Sequence, residues 1–233
     1  MNTNDKLDYP GKELEIFDKA TFWRSYLFKK IEKFLGKEVL EVGAGIGSFT
    51  KTYYSKNKII KLTELDANSL KILRSRFKDY DNISIEEKFT KNINQKFDSI
   101  LYISVLEHIK NDTEEIEVAI SKLKKNGHLI VCVPAHNYMY SKFDKEIGHY
   151  RRYNKKFFEE LNLSSRKLKE CYMLDISGWL MYFLNKLVFK NEEYPSKFKV
   201  MIWDKLFVPI SIILDFITNY KFGKNIIVVI QKI

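Results

Sequence analysis

The sequence predicts an α/β fold built on a seven-stranded, mostly parallel sheet with helices on both faces. Three observations carry this prediction. Strand-like apolar runs alternate with helix-like segments along most of the 233 residues, a glycine-rich turn separates the first strand from a helix, and polar residues follow the ends of several strands. Such alternation is typical of parallel sheets whose two faces are covered.

Hydrophobic periodicity places the individual elements. Apolar runs of strand length predict strands at residues 38–42, 59–63, 83–85, 99–103, 129–133, 167–173 and 226–230. Apolar side chains at helical spacing predict helices at residues 12–35, 67–77, 112–125 and 155–161. In the third of these helices we expect Asp112 to be the N-cap, with Glu115 three residues later. Asn126 and Gly127 are expected to end that helix.

The first strand leads into the run Glu41-Val42-Gly43-Ala44-Gly45-Ile46-Gly47, and Glu64 stands at the end of the second strand. Glycines allow the backbone to approach a ligand closely, and a carboxylate at the next strand tip can accept hydrogen bonds from ribose hydroxyls. Ligands of parallel sheets bind beyond the carboxyl ends of the strands, where Ser104 and Pro134 are also expected. These residues together predict a nucleoside pocket.

The glycine spacing differs from the G-x-G-x-x-G of dinucleotide folds, and no Gly-Lys-Ser/Thr follows it. The motif resembles the acidic-x-Gly-x-Gly-x-Gly of the class I S-adenosylmethionine-dependent methyltransferases. The resemblance implies a Rossmann-like sheet with an antiparallel last strand, and S-adenosyl-L-methionine as cofactor. The cofactor-binding residues it implies are Glu41, Gly43, Ala44, Gly45, Gly47, Glu64, Leu65, Phe89, Ile103, Ser104 and Arg24.

The run from Phe97 to Ile109 is similar to the segment after strand four of the ubiquinone-type O-methyltransferases and of the bacterial type 11, 12 and 23 methyltransferase domains. In those enzymes this segment lies beside the transferred methyl group, so Glu107 and His108 become candidate catalytic residues. A histidine can take a proton from a hydroxyl near neutral pH. The alternative is that both residues cap a helix and brace the loop.

A long polar and aromatic connection follows the fifth strand and ends in Gly148-His149-Tyr150-Arg151-Arg152-Tyr153. This ending resembles a subgroup of these methyltransferases often found beside lipid-linked sugar pathways. We expect His149 to face the reaction centre, and we expect Arg151, Arg152, Tyr153 and Tyr140 to bind the acceptor, since a guanidinium suits an anionic group. The alternative is an arginine paired with Asp144 or Glu146. No metal-ligand spacing is present, so no metal is expected.

Residues 176–222 interrupt the alternation of strands and helices. Two apolar segments, 179–189 and 200–217, are bordered by lysines at 186, 190, 197, 199, 205, 221 and 224. Such segments suit an anionic membrane surface, the roof of a pocket for a lipidic acceptor, a dimer face, or plain packing on the sheet. We divide the single domain 1–233 into N-terminal helices 1–36, a cofactor-binding core 37–175, a helical insertion 176–222 and a final strand 223–233.

Composition limits the possible partners and cellular location of the protein. Apolar residues make up 45% of the chain, and the net charge of +10 suits either solvated lysines or an anionic partner. The two cysteines stand in apolar runs, which indicates buried thiols in a reducing compartment. With no apolar signal core or membrane-spanning run, we expect a cytoplasmic protein, peripheral at the inner membrane face if it binds lipid.

The leading functional prediction is methyl transfer, at oxygen, to a small-molecule or lipid-linked acceptor. A second prediction is an rRNA methyltransferase, because the glycine motif looks like that of the adenine dimethylases and the chain is basic. Those enzymes carry Asn-Leu-Pro-Tyr or Asp-Pro-Pro-Tyr after strand four, whereas Ser104-Val105-Leu106-Glu107 stands here, which counts against nucleic acid. A third is a cofactor-binding partner subunit without turnover. The oligomeric state is left open.

Overall fold

The computed structural model describes residues 12–161, 166–188 and 196–233. Seven strands form one sheet in the order β3-β2-β1-β4-β5-β7-β6, in which β7 runs antiparallel to both of its neighbours and the other pairs are parallel. The strands are β1 Glu38–Val42, β2 Ile59–Thr63, β3 Ile83–Glu86, β4 Phe97–Ile103, β5 Leu123–Pro134, β6 Arg166–Leu174 and β7 Asn225–Lys232. The Rossmann-like fold class predicted from sequence is confirmed.

The described helices lie on both faces of this sheet. They are α1 Lys12–Phe17, α2 Thr21–Ile31, α3 Thr50–Tyr53, α4 Ala67–Arg76, α5 Asp112–Ser121, α6 Lys142–Glu146, α7 Lys155–Glu159, α8 Ile176–Val188, α9 Lys197–Ile202 and α10 Val208–Ile217. Short 3₁₀ turns at Glu32–Phe34, Thr90–Asn92, Leu106–His108 and Asn137–Met139, and a π-helical turn at Trp203–Phe207, join some of them. The division of the chain into a single domain with four parts stays a prediction.

Alternate residues of each central strand supply two separate cores. Leu40 packs in a cluster with Ile116 of α5, while its neighbour Val39 packs in a cluster with Leu27 of α2. Successive strand residues point to opposite faces, so a continuous apolar strand needs cover on both sides. α5 provides that cover on one face and α2 on the other.

The region between α5 and β5 differs from the prediction. The helix ends at Ser121, four residues early, and Asn126 and Gly127 lie inside β5, where Asn126 has a φ of 62°. The pairing of β4 with β5 shifts register between Phe97 and Ser99, and this irregularity accommodates the extra residues. The N-cap of α5 is Asn111 rather than Asp112, because the Asp112 carboxylate accepts a hydrogen bond from Thr113 N within the helix.

The chain turns sharply where it leaves four strands at the carboxyl edge of the sheet. Gly43, Ser104, His136 and Asp175 follow β1, β4, β5 and β6, and all four have φ values between 55° and 70°. Left-handed backbone is uncommon for residues other than glycine, and it is typical of strained turns at functional sites. These four turns therefore lie together at the carboxyl edge of the sheet.

The described part of 176–222 is helical and is held to the rest of the fold by three buried carboxylates. Asp204 accepts hydrogen bonds from the backbone N–H groups of Phe22 and Trp23 at the start of α2. Asp215 accepts from the Tyr26 hydroxyl, and Asp175 accepts from the Trp203 indole. Among the helices described, none has the length and apolar character needed to cross a membrane.

Candidate active site at the carboxyl edge of the sheet

The glycine turn after β1 excludes side chains by geometry. Gly43, Gly45 and Gly47 have φ values of 62°, 55° and 76°. A Cβ atom on Gly43 would lie 2.8 Å from Val105, in the loop after β4, and one on Gly47 would overlap the ring of Phe77. The turn therefore has no room for side chains at these positions, and its half-buried Gly43 lies beside the loop after β4.

The Glu64 carboxylate lies against this turn. Its Oε2 accepts a hydrogen bond from Gly45 N at 2.7 Å, and its Oε1 accepts from Leu65 N at 2.8 Å and Asp66 N at 2.9 Å. A backbone cradle without Cβ atoms and a carboxylate at the neighbouring strand tip fit the ribose of an adenosine. The contact with ribose itself stays a prediction.

Glu41 supports the turn from behind instead of facing the cleft. It is buried, and its Oε2 accepts hydrogen bonds from the hydroxyls of Thr50 and Tyr53 at 2.7 and 2.8 Å. Burial raises the pKa of Glu41 to about 7. The carboxylate thus joins β1 to α3, and a role of Glu41 in cofactor binding stays a prediction.

Arg24, another predicted cofactor residue, is bonded to α1, and its contact with the cofactor stays a prediction. Its guanidinium donates to the carbonyl oxygens of Phe17 at 2.8 Å and Asp18 at 2.7 Å, so it caps the C-terminus of α1. The other predicted residues remain at the carboxyl edge. Ala44 is buried, Leu65 and Ile103 are half-buried, Ser104 is exposed, and the Phe89 ring is 54% exposed.

Two residues at this end of the cleft were missed by the sequence analysis. Leu14 of α1 packs on the glycine turn, 3.3 Å from where a Cβ of Gly45 would lie. Asp18 accepts a hydrogen bond from the Ser48 hydroxyl just after the turn and forms an ion pair with Arg76 at 3.0 Å. The helical spacing of α1 could have indicated the apolar contact, but no local pattern indicates where Asp18 reaches.

The segment after β4 carries Glu107 and His108 on a 3₁₀ turn. Glu107 is 1% exposed, and its carboxylate accepts no hydrogen bond from another residue in the described part of the chain. Burial raises the pKa of Glu107 to about 7. Burial, followed by the neighbouring His149 ring at 4.5 Å, lowers the pKa of His108 to about 3, so this imidazole stays neutral.

His149 lies between two carboxylates. Its Nδ1 donates to Asp144 Oδ1 at 2.8 Å, and its Nε2 lies 3.8 Å from Glu107 Oε1. Asp144 is buried and also accepts two hydrogen bonds from the Arg152 guanidinium, both at 2.9 Å. Burial alone would raise the pKa of Asp144, but the hydrogen bonds from His149 and Arg152 hold it well below its usual range. An ionised Asp144 therefore sets the tautomer and orientation of the His149 ring.

The predicted acceptor residues have different surroundings. Arg152 is bound to Asp144, which matches the alternative left open at the sequence level, and Tyr153 is buried with its hydroxyl donating to Leu106 O and Asp112. Both side chains are thus bonded within the fold, and acceptor binding by Arg152 or Tyr153 stays a prediction. Arg151 is partly exposed, with an ion pair to Asp112 at 2.7 Å.

Tyr140 is exposed, and its hydroxyl donates to the carbonyl of His149 at 2.6 Å. For Arg151 and Tyr140 acceptor binding stays a prediction.

Glu107, His108 and His149 could together offer one ligand atom each to a metal ion. Their ligand atoms lie within 4.8 Å of one another. Carboxylate and imidazole donors suit several divalent ions. The sequence offers His136, His149, Asp144 and Glu146 to an ion, and of these His149 belongs to the observed group, whereas Glu107 and His108 were not foreseen as ligands. That the reaction needs no metal stays a prediction.

Comparison with known proteins agrees with this geometry. Residues 17–192 match the family described as a methyltransferase domain. A demethylmenaquinone methyltransferase from Tropheryma whipplei (strain Twist) is 30% identical over 116 residues, covering 49% of this chain and 48% of the relative. A ribosomal RNA small subunit methyltransferase A from Bacteroides thetaiotaomicron is 28% identical over 103 residues, covering 44% and 38%. The chain thus spans about half or less of these relatives' length.

The fold is also found in solved methyltransferases. The N-methyltransferase NodS from Bradyrhizobium japonicum, solved with S-adenosyl-L-homocysteine, superposes with a TM-score of 0.54 at 12% identity, covering 97% of this chain and 89% of that one. Its bound product is the demethylated form of the cofactor that the glycine turn and Glu64 fit here. The chain therefore belongs to the methyltransferase-domain family.

Proposed function

We propose that this enzyme methylates a hydroxyl oxygen of a small-molecule or lipid-linked acceptor, with His149 as general base. The observation that carries the proposal is the Asp144–His149 pair, with Nδ1 of the ring bound at 2.8 Å and Nε2 turned away from Asp144. A carboxylate that accepts from one ring nitrogen leaves the other nitrogen as a proton acceptor. The pair is joined to the cofactor side of the cleft, because Tyr150 N donates to Glu107 O and Glu107 follows the end of β4.

For this reaction the protein must align the two reactants and accept one proton. When bound, the cofactor supplies a methyl group activated by a sulfonium. The acceptor oxygen forms a bond to the methyl carbon as the carbon–sulfur bond breaks, and His149 Nε2 takes the hydroxyl proton. The products are a methyl ether and S-adenosyl-L-homocysteine. The ionised Asp144 stabilises the imidazolium that forms.

The acceptor side of the cleft is aromatic. Tyr138, in the loop after β5, accepts a hydrogen bond from the Trp179 indole at 2.7 Å, and Tyr182 donates to the Tyr138 carbonyl at 3.1 Å. The first half of α8 therefore packs on the loop that carries Asp144 and His149. This arrangement supports an acceptor with an apolar part. Arg151 stays a proposed contact for an anionic group on that acceptor.

The test is transfer of a tritiated methyl group to small-molecule, lipid and RNA extracts. We expect label in the small-molecule or lipid fraction, and we expect His149→Asn to lower kcat by about 10²–10⁴-fold, the usual contribution of a general base, with S-adenosyl-L-homocysteine affinity unchanged. His128→Asn is the matched control. His128 pairs with Ser99 near the start of β4 and packs on Phe34, so it lies at the amino edge of the sheet, away from the candidate site. An unchanged kcat in His149→Asn would contradict the proposal.

Two alternatives are decided by the same assay. The ribosomal RNA relative and the charge of +10 support an RNA substrate, in which case label appears in RNA alone. A non-catalytic partner subunit would bind cofactor but label nothing.

A cytoplasmic location is also part of the proposal. It is supported by the two free cysteines, Cys132 and Cys171, whose pKa values are raised by burial.

A further inference from the structure

The outer face of α10 is apolar and exposed, although the helix is firmly attached to the fold. Val208, Ser211 and Asp215 form its buried side. Its opposite side presents large apolar residues that are 40–73% exposed: Ile210, Ile212, Ile213, Phe216 and Ile217. We call these five residues the α10 face. A helix about 15 Å long with such a stripe has the amphipathic pattern of an interfacial helix.

The exposed charged side chains near this face are all positively charged. In the described residues 196–222, the exposed ionisable side chains are Lys197, Lys199, Lys205 and Lys221. The two acids of the same stretch, Asp204 and Asp215, are buried and accept hydrogen bonds from α2 and from the start of α8. Lys205 precedes α10 and Lys221 follows it, so exposed cations lie near both ends of the α10 face. Lys205 is also ion-paired to Asp204 at 3.3 Å.

We propose that the α10 face docks on an anionic lipid surface, with Phe216, Ile213 and Ile217 entering the boundary between headgroups and acyl chains. Apolar side chains bordered by lysines gain from burial in the interface and from the negative surface potential of anionic lipid.

A second copy of the chain is the less suitable occupant. A two-fold contact pairs a surface with itself, which would bring the lysines of both copies together. Within the described residues 196–222 no exposed acid could pair with them. Like charges placed opposite each other disfavour that contact, whereas anionic lipid neutralises the same groups.

The docked face is connected to the candidate active site. α10 packs against α8, and Trp179 and Tyr182 of α8 bond to Tyr138 in the loop that carries His149. Docking would therefore bring the acceptor side of the cleft towards the lipid. The inference does not rest on the hydroxyl acceptor, because vesicle binding is measured without any methyl transfer.

The experiment is co-sedimentation of the full chain with vesicles of phosphatidylcholine alone and of phosphatidylcholine mixed with phosphatidylglycerol. We expect at least about tenfold tighter binding to the mixed vesicles, weakened by added salt, because several lysines contribute. Phe216→Glu should lose most of this binding. Ile233→Glu, the matched control, makes the same charge change at a 66% exposed residue beyond the far end of β7, and it should bind as the unaltered chain does.

The lysines are tested separately from the apolar stripe. Lys197→Gln combined with Lys221→Gln should reduce the preference for phosphatidylglycerol, whereas Lys78→Gln with Lys125→Gln, exposed residues at the opposite edge of the sheet, should not. Unchanged S-adenosyl-L-homocysteine affinity in each variant shows that the fold is retained. The proposal is overturned by equal binding to both vesicle types, by full binding of Phe216→Glu, or by a concentration-dependent dimer that Phe216→Glu abolishes.

Discussion

Asp144 is the residue on which the proposed chemistry depends most directly. It receives hydrogen bonds from His149, Arg152 and Ser141, and it is buried. The Gly-His-x-Arg-Arg-Tyr ending drew attention to His149 and the arginines. The sequence could not show which of them reach Asp144, because that pairing depends on how α6 and the following loop fold back over one another.

Glu64 gives the sharpest test of the cofactor pocket. Glu64→Ala should weaken S-adenosyl-L-homocysteine binding by at least about tenfold, because a carboxylate bound to ribose contributes about 1.5–3 kcal/mol as a charge-assisted partner. Glu86→Ala, at the tip of the neighbouring strand and ion-paired to Lys88 at 2.9 Å, is the control. Calorimetry reads both affinities. Equal affinity of Glu64→Ala and the unaltered enzyme would remove Glu64 from the pocket.

Chelation tests the proposed role of His149 against a metal at the same residues. A base must keep its Nε2 free, so we expect methyl transfer to be unaffected by excess chelator. Activity that is lost on chelation and restored by a divalent ion would assign a metal centre to Glu107, His108 and His149, whose ligand atoms lie within 4.8 Å of one another. His108→Asn would then abolish the metal-dependent restoration.

At the scale of elements, most strands were predictable because buried parallel strands are short apolar runs. The region of Asn126 and Gly127 was not, since the same pair of residues ends a helix or fills an irregular strand. The position of α1 on the glycine turn could not be predicted from the sequence either. Its contact between Leu14 and Gly45 joins residues far apart in the chain, and the Arg24 guanidinium bonds back to the end of α1.

The attachment of the insertion to α2 can be measured through one side chain. Asp204→Ala should lower the free energy of unfolding by about 1–3 kcal/mol, because Phe22 N and Trp23 N lose their cap inside the fold. Urea unfolding followed by circular dichroism gives the difference. Asp79→Ala, an exposed acid after α4, should leave stability within about 0.5 kcal/mol. Similar values for the two variants would contradict the capping role.

At the scale of the whole molecule, two buried acids couple stability to pH. Burial raises the pKa values of Glu41 and Glu107 to about 7, above the ordinary value of 4.5. Between these values the folded chain binds protons that the unfolded chain releases, so stability is greatest below the unfolded pKa. It falls as pH rises through the window and levels off above the folded pKa.

The lowered pKa of His108 acts in the opposite direction below its ordinary value of 6.5, so the decline is read above that value. We therefore expect the free energy of unfolding to fall by about 1–2 kcal/mol between about pH 6.5 and about pH 8. Urea unfolding at several pH values measures it. Glu107→Gln should flatten this decline, because it removes one of the two titrating groups. A variant that keeps the full pH dependence would show that Glu107 is already ionised in the folded protein.

The antiparallel β7 has a structural consequence for the insertion. Leu174, the last residue of β6, pairs with Asn225, the first of β7, and Lys224 N donates to Asp175 O at 3.2 Å. The segment thus departs and returns at one point, with its two ends bonded to each other. The distance between the two strand ends is therefore set by their own pairing, and the length of the segment between them can vary without changing the register of β6 and β7.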